Sequence, residues 1–378
     1  NEHLMKIELI ATATFGLESV VKREIEKLGY RILKTEDGKV TYLSDERGIV
    51  RSNLWLRAAD RVLLKMGEFK ATTFEELYQQ VKGIPFEEWI PPDGKFTVSG
   101  TSVKSTLHHV PSCQSITKKA IVDRLSSVYG IKEFAETGDE HGVKVTILKD
   151  RVTLTMDTSG KGLHKRGYRV KEVEAPIKET LAAGLVQLSF WNKDRTLLDP
   201  FTGSGTIPIE AAMIGINMAP GLLRDFVSEG WNTIDKNLWE EERKKAREEI
   251  LNIKLKIGGS DLDVEAVKKA VENAGKAGVD HLIEFSMKDI KDLRTTEKNG
   301  VIVTNPPYGE RIGDRKEIEY IYKALSEFMK ENPSWSLFII SSDKELESKV
   351  MGRPADRRRK LYNGRIETTF YQFHGIRE

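Results

Sequence analysis

The sequence predicts an α/β protein of three units, the last of which is a parallel sheet wrapped by helices. Residues 1–69 alternate strand and helix patterns in the order βαββαβ, and a second mixed unit follows at 70–162. After a Gly-rich linker at 159–162, buried strands alternate with long helices, which is typical of a parallel sheet. The 378 residues suit two or three domains. We therefore expect a third domain over 163–378, with an insertion near 220–256.

The first unit has the element order of a ferredoxin-like fold. Alternating apolar residues predict a strand at 7–11, and helical spacing predicts helices at 18–28 and 45–59. Asp37-Gly38 is a hairpin signal between two short strands, and a fourth strand covers 61–69. The order βαββαβ predicts a ferredoxin-like unit, a fold that hosts many functions.

The second unit is smaller and also mixes helices with strands. Thr73 is a candidate N-cap for a helix at 74–81, and a strand follows at 95–103. Apolar residues at helical spacing predict a helix at 115–129, and strictly alternating residues predict a hairpin over 143–156.

The third unit carries short strands that are apolar throughout, as expected for buried parallel strands. These strands are predicted near 197–198, 282–286, 300–304 and 337–340. An antiparallel hairpin over 359–373 then closes the sheet.

Composition excludes several classes of protein. The 60 Lys and Arg residues nearly balance the 58 Asp and Glu residues, so the net charge of +2 neither requires nor excludes an anionic partner. The single cysteine, Cys113, excludes a disulfide framework and a zinc cluster of several thiolates, and we expect no metal site. Because no apolar run is long enough to span a membrane and no signal peptide is visible, we expect a cytoplasmic protein without membrane partners.

A turn with two glycines follows the first strand of the third unit. The apolar pair Leu197-Leu198 leads into this turn, which contains Gly203 and Gly205, and a helix is predicted over 207–214. Glycines at the carboxyl end of a parallel strand let the backbone approach a ligand closely. The dinucleotide fingerprint and the Walker lysine are both missing from this turn. The alternative is that the glycines serve only the geometry of the turn.

Carboxylates follow the next two strands. Asp261 can accept hydrogen bonds from both hydroxyls of a ribose, whereas Asp263 suits the N-cap of the helix that follows. Asp289 follows the third strand, where it either binds an adenine amino group or completes a turn.

The tetrapeptide Asn305-Pro306-Pro307-Tyr308 stands directly after a predicted buried strand. The prolines fix a rigid extended backbone, so that the Asn305 side-chain oxygen and the Pro306 carbonyl point the same way. Two such acceptors can bind both protons of an exocyclic amino group and favour its attack on a methyl group, by positioning and electrostatics. Tyr308 offers a flat face for an unstacked base.

Motifs in this order resemble those of the THUMP-domain RNA methyltransferases, which are class I S-adenosylmethionine-dependent enzymes. The matching residues are Asp-Pro-Phe-Thr-Gly-Ser-Gly-Thr at 199–206, Asp261, and the segments 163–169, 175–182, 305–311 and 360–364. The sequence is most similar to the bacterial group that resembles the guanine-N2 half of the 23S rRNA methyltransferase RlmL, including its shorter YpsC-like members. The resemblance implies a Rossmann-like class I methyltransferase domain preceded by ferredoxin-like and THUMP α/β domains that bind RNA.

The resemblance also assigns roles to individual residues. The catalytic set that it implies is Asn305, Pro306, Pro307 and Tyr308. The residues implied to bind S-adenosylmethionine are Pro200, Thr202, Gly203, Ser204, Gly205, Thr206, Asp261 and Asp289, with Glu179 and Thr180 near the methionine end.

Basic residues outside these motifs are candidates for RNA contact. The predicted contacts are His164, Lys165, Arg166 and Arg169 between the RNA-binding part and the catalytic domain, and Lys118 and Lys119 in the THUMP domain. A basic run at 357–360 either grips phosphates or is only a solvated surface. The inserted segment with Trp231 is either a solvent-facing helix or a wall over the target base.

The function that we expect is methylation of a guanosine N2 amino group in RNA, with 23S rRNA as substrate and the target base flipped out of its stack. Three alternatives stay open: adenine-N6 methylation of RNA, guanosine-N2 methylation of tRNA, and a non-catalytic RNA-binding assembly factor. The sequence leaves the oligomeric state open.

Overall fold

The computed structural model describes residues 5–170, 177–307 and 315–378, and its strands form two seven-stranded sheets. The elements that build the first sheet are β1 (Ile7–Ala13), α1 (Glu18–Lys27), β2 (Arg31–Glu36), β3 (Lys39–Ser44), α2 (Glu46–Trp55), β4 (Ala59–Lys70), α3 (Phe74–Lys82), β5 (Lys95–Val103), α4 (Val110–Tyr129), β6 (Glu140–Leu148) and β7 (Arg151–Asp157). The elements that build the second are α5 (Glu179–Leu188), β8 (Leu197–Asp199), α6 (Thr206–Gly215), α7 (Lys236–Glu248), β9 (Ile257–Asp261), α8 (Val264–Ala277), β10 (Ile283–Met287), β11 (Val301–Thr304), α9 (Arg315–Glu331), β12 (Ser336–Ser341), β13 (Arg357–Asn363) and β14 (Ile366–Phe373).

The first sheet joins the ferredoxin-like and THUMP units edge to edge. Its strand order is β2-β3-β1-β4-β7-β6-β5, in which the first four strands are the antiparallel sheet of the ferredoxin-like unit. Strand β4 also pairs with β7, from Leu63 opposite Asp157 to Lys70 opposite Arg151. The sequence predicts both units but not this pairing, because partners so far apart in the chain leave no local pattern.

Several predicted starts of helices are set by capping side chains. The predicted cap Thr73 is confirmed, because its hydroxyl accepts a hydrogen bond from the Glu76 backbone N–H at 3.1 Å. Helix α4 begins five residues before its predicted start, since the ring of His109 caps it and Pro111 fits the first helical turn.

The second sheet is Rossmann-like. Its order is β10-β9-β8-β11-β12-β14-β13, and the pairs from β10 to β12 are parallel, whereas β14 and β13 are antiparallel. The order of connection reverses between β8 and β11, which opens a crevice at their carboxyl ends. Strands β11 and β12 are buried along their whole length.

The inserted segment packs against the first sheet. Trp231 is 1% exposed, its ring stacks on His141 at 4.8 Å between centroids, and its indole N–H donates to the Glu140 carbonyl at 3.1 Å. Glu242 of α7 pairs with Arg47 of α2 at 2.8 Å. Trp231 is therefore part of the contact between the two halves of the molecule, a role that neither sequence interpretation of this segment includes.

Arg224 fastens the predicted linker to the catalytic half. Its guanidinium donates to the carbonyls of Gly162 at 2.7 Å and Lys161 at 2.9 Å.

Across the described ranges, no helix combines the length and the apolar character needed to cross a membrane.

Candidate active site

The loop after β8 is held open at one glycine and packed tightly at another. Both glycines have left-handed backbone angles, with φ of +51° at Gly203 and +84° at Gly205. A Cβ at Gly205 would lie 2.9 Å from Ala270 and 3.0 Å from Phe285, whereas a Cβ at Gly203 would meet no described atom within 4 Å. Gly205 therefore serves packing, and Gly203 leaves room for a ligand beside the backbone.

Asp261 connects this loop to the second strand of the sheet. One carboxylate oxygen accepts from the Gly203 backbone N–H at 3.0 Å, and the other accepts from the Asp263 N–H at 3.0 Å. Asp263 caps α8 by accepting from the Glu265 N–H at 2.9 Å, which confirms its predicted cap. The carboxylate of Asp261 thus lies beside the glycine at which the loop is open.

Three buried oxygen atoms around the loop have no hydrogen-bond partner among the described residues. They are the hydroxyl oxygens of Thr202 and Ser204 and Oε1 of Glu179, which forms only an ion pair with Arg169. Burial raises the pKa of Glu179, and the charge of Arg169, 3.4 Å away, opposes that rise. Buried polar groups normally have partners, so these atoms fit a polar ligand that would satisfy them.

The other residues predicted to bind the donor differ in their surroundings. Pro200 and Thr180 are buried, and Thr206, at the start of α6, accepts from the Arg169 guanidinium at 2.7 Å. Asp289 is half-buried just after β10, and its carboxylate accepts from the Lys291 N–H at 3.0 Å and the Tyr320 hydroxyl at 2.9 Å.

Asp199 links the glycine loop to the strand that leads to Asn305. One oxygen of its carboxylate accepts from the Thr304 hydroxyl at 2.6 Å and from the Phe201 N–H at 3.1 Å, directly at the reversal between β8 and β11. Burial raises the pKa of Asp199 to about 7, although both hydrogen bonds oppose that rise. The sequence motif contains Asp199, but no role is predicted for it, because its partner lies on a strand 105 residues away.

The described part of the predicted catalytic tetrapeptide lies at the same edge. Strand β11 ends at Thr304, after which Asn305 is half-buried, Pro306 is buried and Pro307 is exposed. Tyr308 lies outside the described residues. The tetrapeptide and the glycine loop thus begin at the ends of two adjacent strands.

Arg166 does not lie on an RNA-facing surface, and the prediction that it contacts RNA is wrong. Its side chain is 1% exposed and pairs with buried Glu210 at 2.8 Å. It also donates to the carbonyls of Arg57 at 2.7 Å and Leu163 at 3.0 Å. Desolvating a guanidinium requires such partners, and the interior supplies them all.

The other predicted RNA contacts have different surroundings. Lys165 is exposed, whereas Arg169 is directed inward to Thr206. His164 is half-buried, and burial together with the charge of Lys178 and other cations lowers its pKa to about 4, so the ring is neutral at pH 7. Lys118 and Lys119 are exposed on α4, where their ammonium groups lie 5.4 Å from the Phe96 ring and 5.8 Å from the Tyr78 ring respectively.

Family models match nearly the whole chain in three consecutive parts. Residues 166–372 match the RMKL-like methyltransferase domain, 8–63 match the RlmL ferredoxin-like domain, and 71–157 match the THUMP domain. The chain belongs to the RMKL-like methyltransferases. A relative from Bacillus subtilis (strain 168), YpsC, bears the name of an RNA methyltransferase and is 48% identical over 373 residues, which is 98% of this chain and 96% of YpsC.

Solved structures of RMKL-like relatives share the whole fold. A protein of Clostridium difficile 630, described as a possible methylase, is 47% identical with a TM-score of 0.95, over 99% of both chains. SMU.472, named as a methyltransferase, is 42% identical with a TM-score of 0.93, also over 99% of both chains, and its crystals contain S-adenosylhomocysteine. S-adenosylmethionine is the methyl donor of this family, and the chain is an S-adenosylmethionine-dependent RNA methyltransferase.

The cofactor loop of this chain fits that donor. Gly203 leaves open space there, and the carboxylates of Asp261 and Glu179 and the hydroxyls of Thr202 and Ser204 would supply the polar contacts that a nucleoside and an amino acid require. Bound there, S-adenosylmethionine supplies an electrophilic methyl group. The residues of this loop would hold it near the edge where β11 ends.

Proposed function

We propose that the protein methylates the N2 amino group of a guanosine in RNA, and that its substrate is 23S rRNA. The choice of guanosine in 23S rRNA is supported by the match to the RlmL ferredoxin-like domain. The observation that carries methyl transfer to an amino group is the hydrogen bond of 2.6 Å between Asp199 and Thr304. It ties the loop that fits the methyl donor to the strand end that carries Asn305 and Pro306. An amino group bound at those two residues would therefore lie next to the donor.

In this proposal, positioning carries most of the catalysis. The lone pair of an exocyclic amine is delocalised into the base, which makes the nitrogen a poor nucleophile. The Asn305 side-chain oxygen and the Pro306 carbonyl accept its two protons and favour the pyramidal nitrogen. Pro307 stiffens the segment, Tyr308 stacks on the extruded base, and the proton leaves after the nitrogen has become cationic.

We assign each part of the methyl donor to residues around the loop. We assign the ribose hydroxyls to Asp261, the adenine amino group to Asp289, and the methionine end to Glu179 and Thr180. The remaining residues that we assign to the donor site are Pro200, Thr202, Gly203, Ser204, Gly205 and Thr206. The geometry of Asp261 supports its assignment, because its carboxylate already accepts from the Gly203 N–H at the open side of the loop.

We assign RNA binding to the front half of the chain and to the segment that follows it. We propose domain limits at 1–69, 70–162 and 163–378, and RNA contacts at Lys118, Lys119, His164 and Lys165. The family matches at 8–63 and 71–157 support these limits. We expect the enzyme to act in the cytoplasm, where rRNA is assembled into ribosomes.

The decisive experiment is nucleoside mass spectrometry of separated ribosomal and transfer RNA from cells with and without the gene. Loss of N2-methylguanosine at one position of 23S rRNA, restored by the wild-type gene, is the expected result. Loss of that nucleoside from tRNA would replace the proposal with guanosine-N2 methylation of tRNA. Loss of N6-methyladenosine would replace it with adenine-N6 methylation of RNA. An unchanged set of modified nucleosides would favour a non-catalytic assembly factor.

The variant Asn305→Ala tests the catalytic assignment. We expect kcat to fall about 10²–10³-fold, the cost of losing one preorganised hydrogen-bonding group at a developing charge. Affinity for S-adenosylhomocysteine, measured by calorimetry, should stay near the wild-type value. If affinity falls as much as kcat/KM, Asn305 builds the donor pocket instead.

A further inference from the structure

Two aromatic side chains from different domains meet at the surface. Phe15 lies in the loop between β1 and α1 and is 45% exposed, and Tyr362 lies near the turn of the β13–β14 hairpin. Their ring centroids are 6.2 Å apart at an interplanar angle of 73°. The ferredoxin-like domain and the catalytic domain each contribute one ring to this Phe15–Tyr362 platform.

Arg359 and Gly16 join the two elements that carry the platform. Arg359 of β13 donates to the Gly16 carbonyl at 3.0 Å and to the Ser19 hydroxyl at 3.3 Å. Gly16 has a φ of +97° and packs so closely that a Cβ there would collide with the Lys360 carbonyl oxygen. The loop that carries Phe15 is therefore seated directly on the hairpin that carries Tyr362.

The platform projects beyond the catalytic edge of the second sheet. Thr304, the last residue of β11, is level with Ile339 on β12, which in turn is level with Tyr371 on β14. Tyr362 on β13 pairs with Glu367 of β14, which lies four residues beyond Tyr371 in the direction in which β11 ends. At about 3.3 Å per residue, Tyr362 stands roughly 13 Å past the end of β11, and three strand spacings place it about 14 Å to the side. The platform thus lies beyond the same end of the sheet as Asn305 and Pro306.

Basic side chains border the platform. The ammonium group of Lys360 lies 5.7 Å from the Tyr362 ring centroid and 3.4 Å from the Glu367 carboxylate. Burial lowers the pKa of Arg359, and the charges of Arg357 and Arg23 lower it further, while Glu18 opposes them. Within the basic run 357–360, Arg358 pairs with Glu347 at 2.9 Å and Arg359 donates to the Gly16 carbonyl, so the cation beside the Tyr362 ring is Lys360.

We propose that the Phe15–Tyr362 platform stacks on nucleotides next to the target base, so that it holds single-stranded RNA at the mouth of the active site. This inference rests on the proposed RNA substrate. Aromatic faces bordered by cations are how proteins bind unpaired nucleotides without reading their sequence. A platform shared between domains also anchors the strand to both halves of the molecule.

The test compares Phe15→Ala and Tyr362→Ala with Phe190→Ala. Phe190 is 54% exposed and packs against Phe338 and His374 at the opposite edge of the same sheet, which makes it a matched control. The probe is protein-free ribosomal RNA from cells that lack the gene. We expect each platform variant to raise the Kd for this RNA at least about fivefold, the lower bound for one lost stacking contact, and the control to leave it unchanged.

Affinity for S-adenosylhomocysteine and the melting temperature should be unchanged in all three variants. If Tyr362→Ala lowers the melting temperature, photocrosslinking of the wild-type protein to 4-thiouridine-substituted RNA replaces it, with crosslinks expected in the peptides of Phe15 and Tyr362. A wild-type RNA affinity in both variants, or crosslinks in neither peptide, would overturn the platform while wild-type methylation still stands. Failure of the wild-type protein to methylate RNA would instead refute the proposed function.

Discussion

At the scale of single residues, the carboxyl group of Asp199 joins the two halves of the active site and is costly to ionise. Its folded-state pKa of about 7 lies well above the ordinary Asp value, chiefly because of burial. Between pH 4 and 7 the native state therefore binds more protons than the unfolded chain does. The stability that this group contributes is full below pH 4 and is lost as the pH rises through 7.

The variant Asp199→Asn tests this pH dependence, because the amide oxygen can still accept from Thr304 and Phe201 but cannot ionise. The free energy of unfolding of the wild type, relative to the variant, should fall between pH 4 and 7 by up to about 1.4 kcal/mol per pH unit. Urea denaturation across this range measures the difference. A difference that does not change with pH would mean that Asp199 titrates as it does in the unfolded chain.

The variant Asp261→Ala tests the contact between the donor loop and the second strand. We expect affinity for S-adenosylhomocysteine to weaken by about 1–3 kcal/mol, because the change removes ligand contacts and the acceptor for the Gly203 N–H. Asp263→Ala is the matched control, since that carboxylate caps α8 and should affect stability more than affinity. Calorimetric titration decides, and an unchanged affinity in Asp261→Ala contradicts the ribose assignment.

Sequence could predict residues whose role depends on their immediate neighbours. The cap at Asp263 is of this kind, because its partner is two residues away. The burial of Arg166 could not be predicted, because its neighbours in sequence are basic and its ion-pair partner, Glu210, is 44 residues further along the chain. The role of Asp199 depends in the same way on a distant hydroxyl.

At the scale of elements, the loop between β1 and α1 depends on a glycine with no room for a side chain. Gly16 and Gly29 have nearly equal φ angles of +97° and +93°, but a Cβ at Gly29 would meet no described atom within 4 Å. Both substitutions by Ala incur about 1–2 kcal/mol of backbone strain. Only Gly16→Ala adds the collision with Lys360, for which we expect about 1–3 kcal/mol more.

Thermal or urea unfolding of Gly16→Ala and Gly29→Ala measures that difference directly. Equal stability losses would show that the loop can lift off the hairpin without cost. The elements themselves were largely predictable: β5 has the expected limits and β14 ends at the expected residue, since alternation of side chains is a local pattern. The seating of this loop on β13 was not, because 343 residues separate Arg359 from Gly16.

At the scale of the whole molecule, a buried ion pair ties the front half to the catalytic half. Arg166 and Glu210 are 1% and 0% exposed, Tyr168 donates to Glu210 at 2.8 Å, and Arg166 donates to the Arg57 carbonyl of the ferredoxin-like domain. Together with the contacts of Trp231, this network predicts that the chain unfolds as one cooperative unit.

Arg166→Met should lower the free energy of unfolding by about 3–5 kcal/mol, because it leaves the carboxylate of Glu210 without its buried partner. Lys165→Ala, at the exposed neighbouring position, should change it by less than about 0.5 kcal/mol. Differential scanning calorimetry gives both values. Two separate transitions in the wild type would contradict the single unit.

The pairing of β4 with β7 also has a consequence for folding during synthesis on the ribosome. The ferredoxin-like unit can form once β4 has left the exit tunnel, but the twelve-residue β4 then has one unpaired side until β7 follows. At roughly 5–20 residues per second, the roughly 80 residues in between take about 4–16 s to synthesise. During that time the nascent protein exposes an unpaired strand edge, which can pair with a strand of another chain and cause aggregation. Slower translation of the THUMP segment should therefore increase aggregation without changing the finished fold.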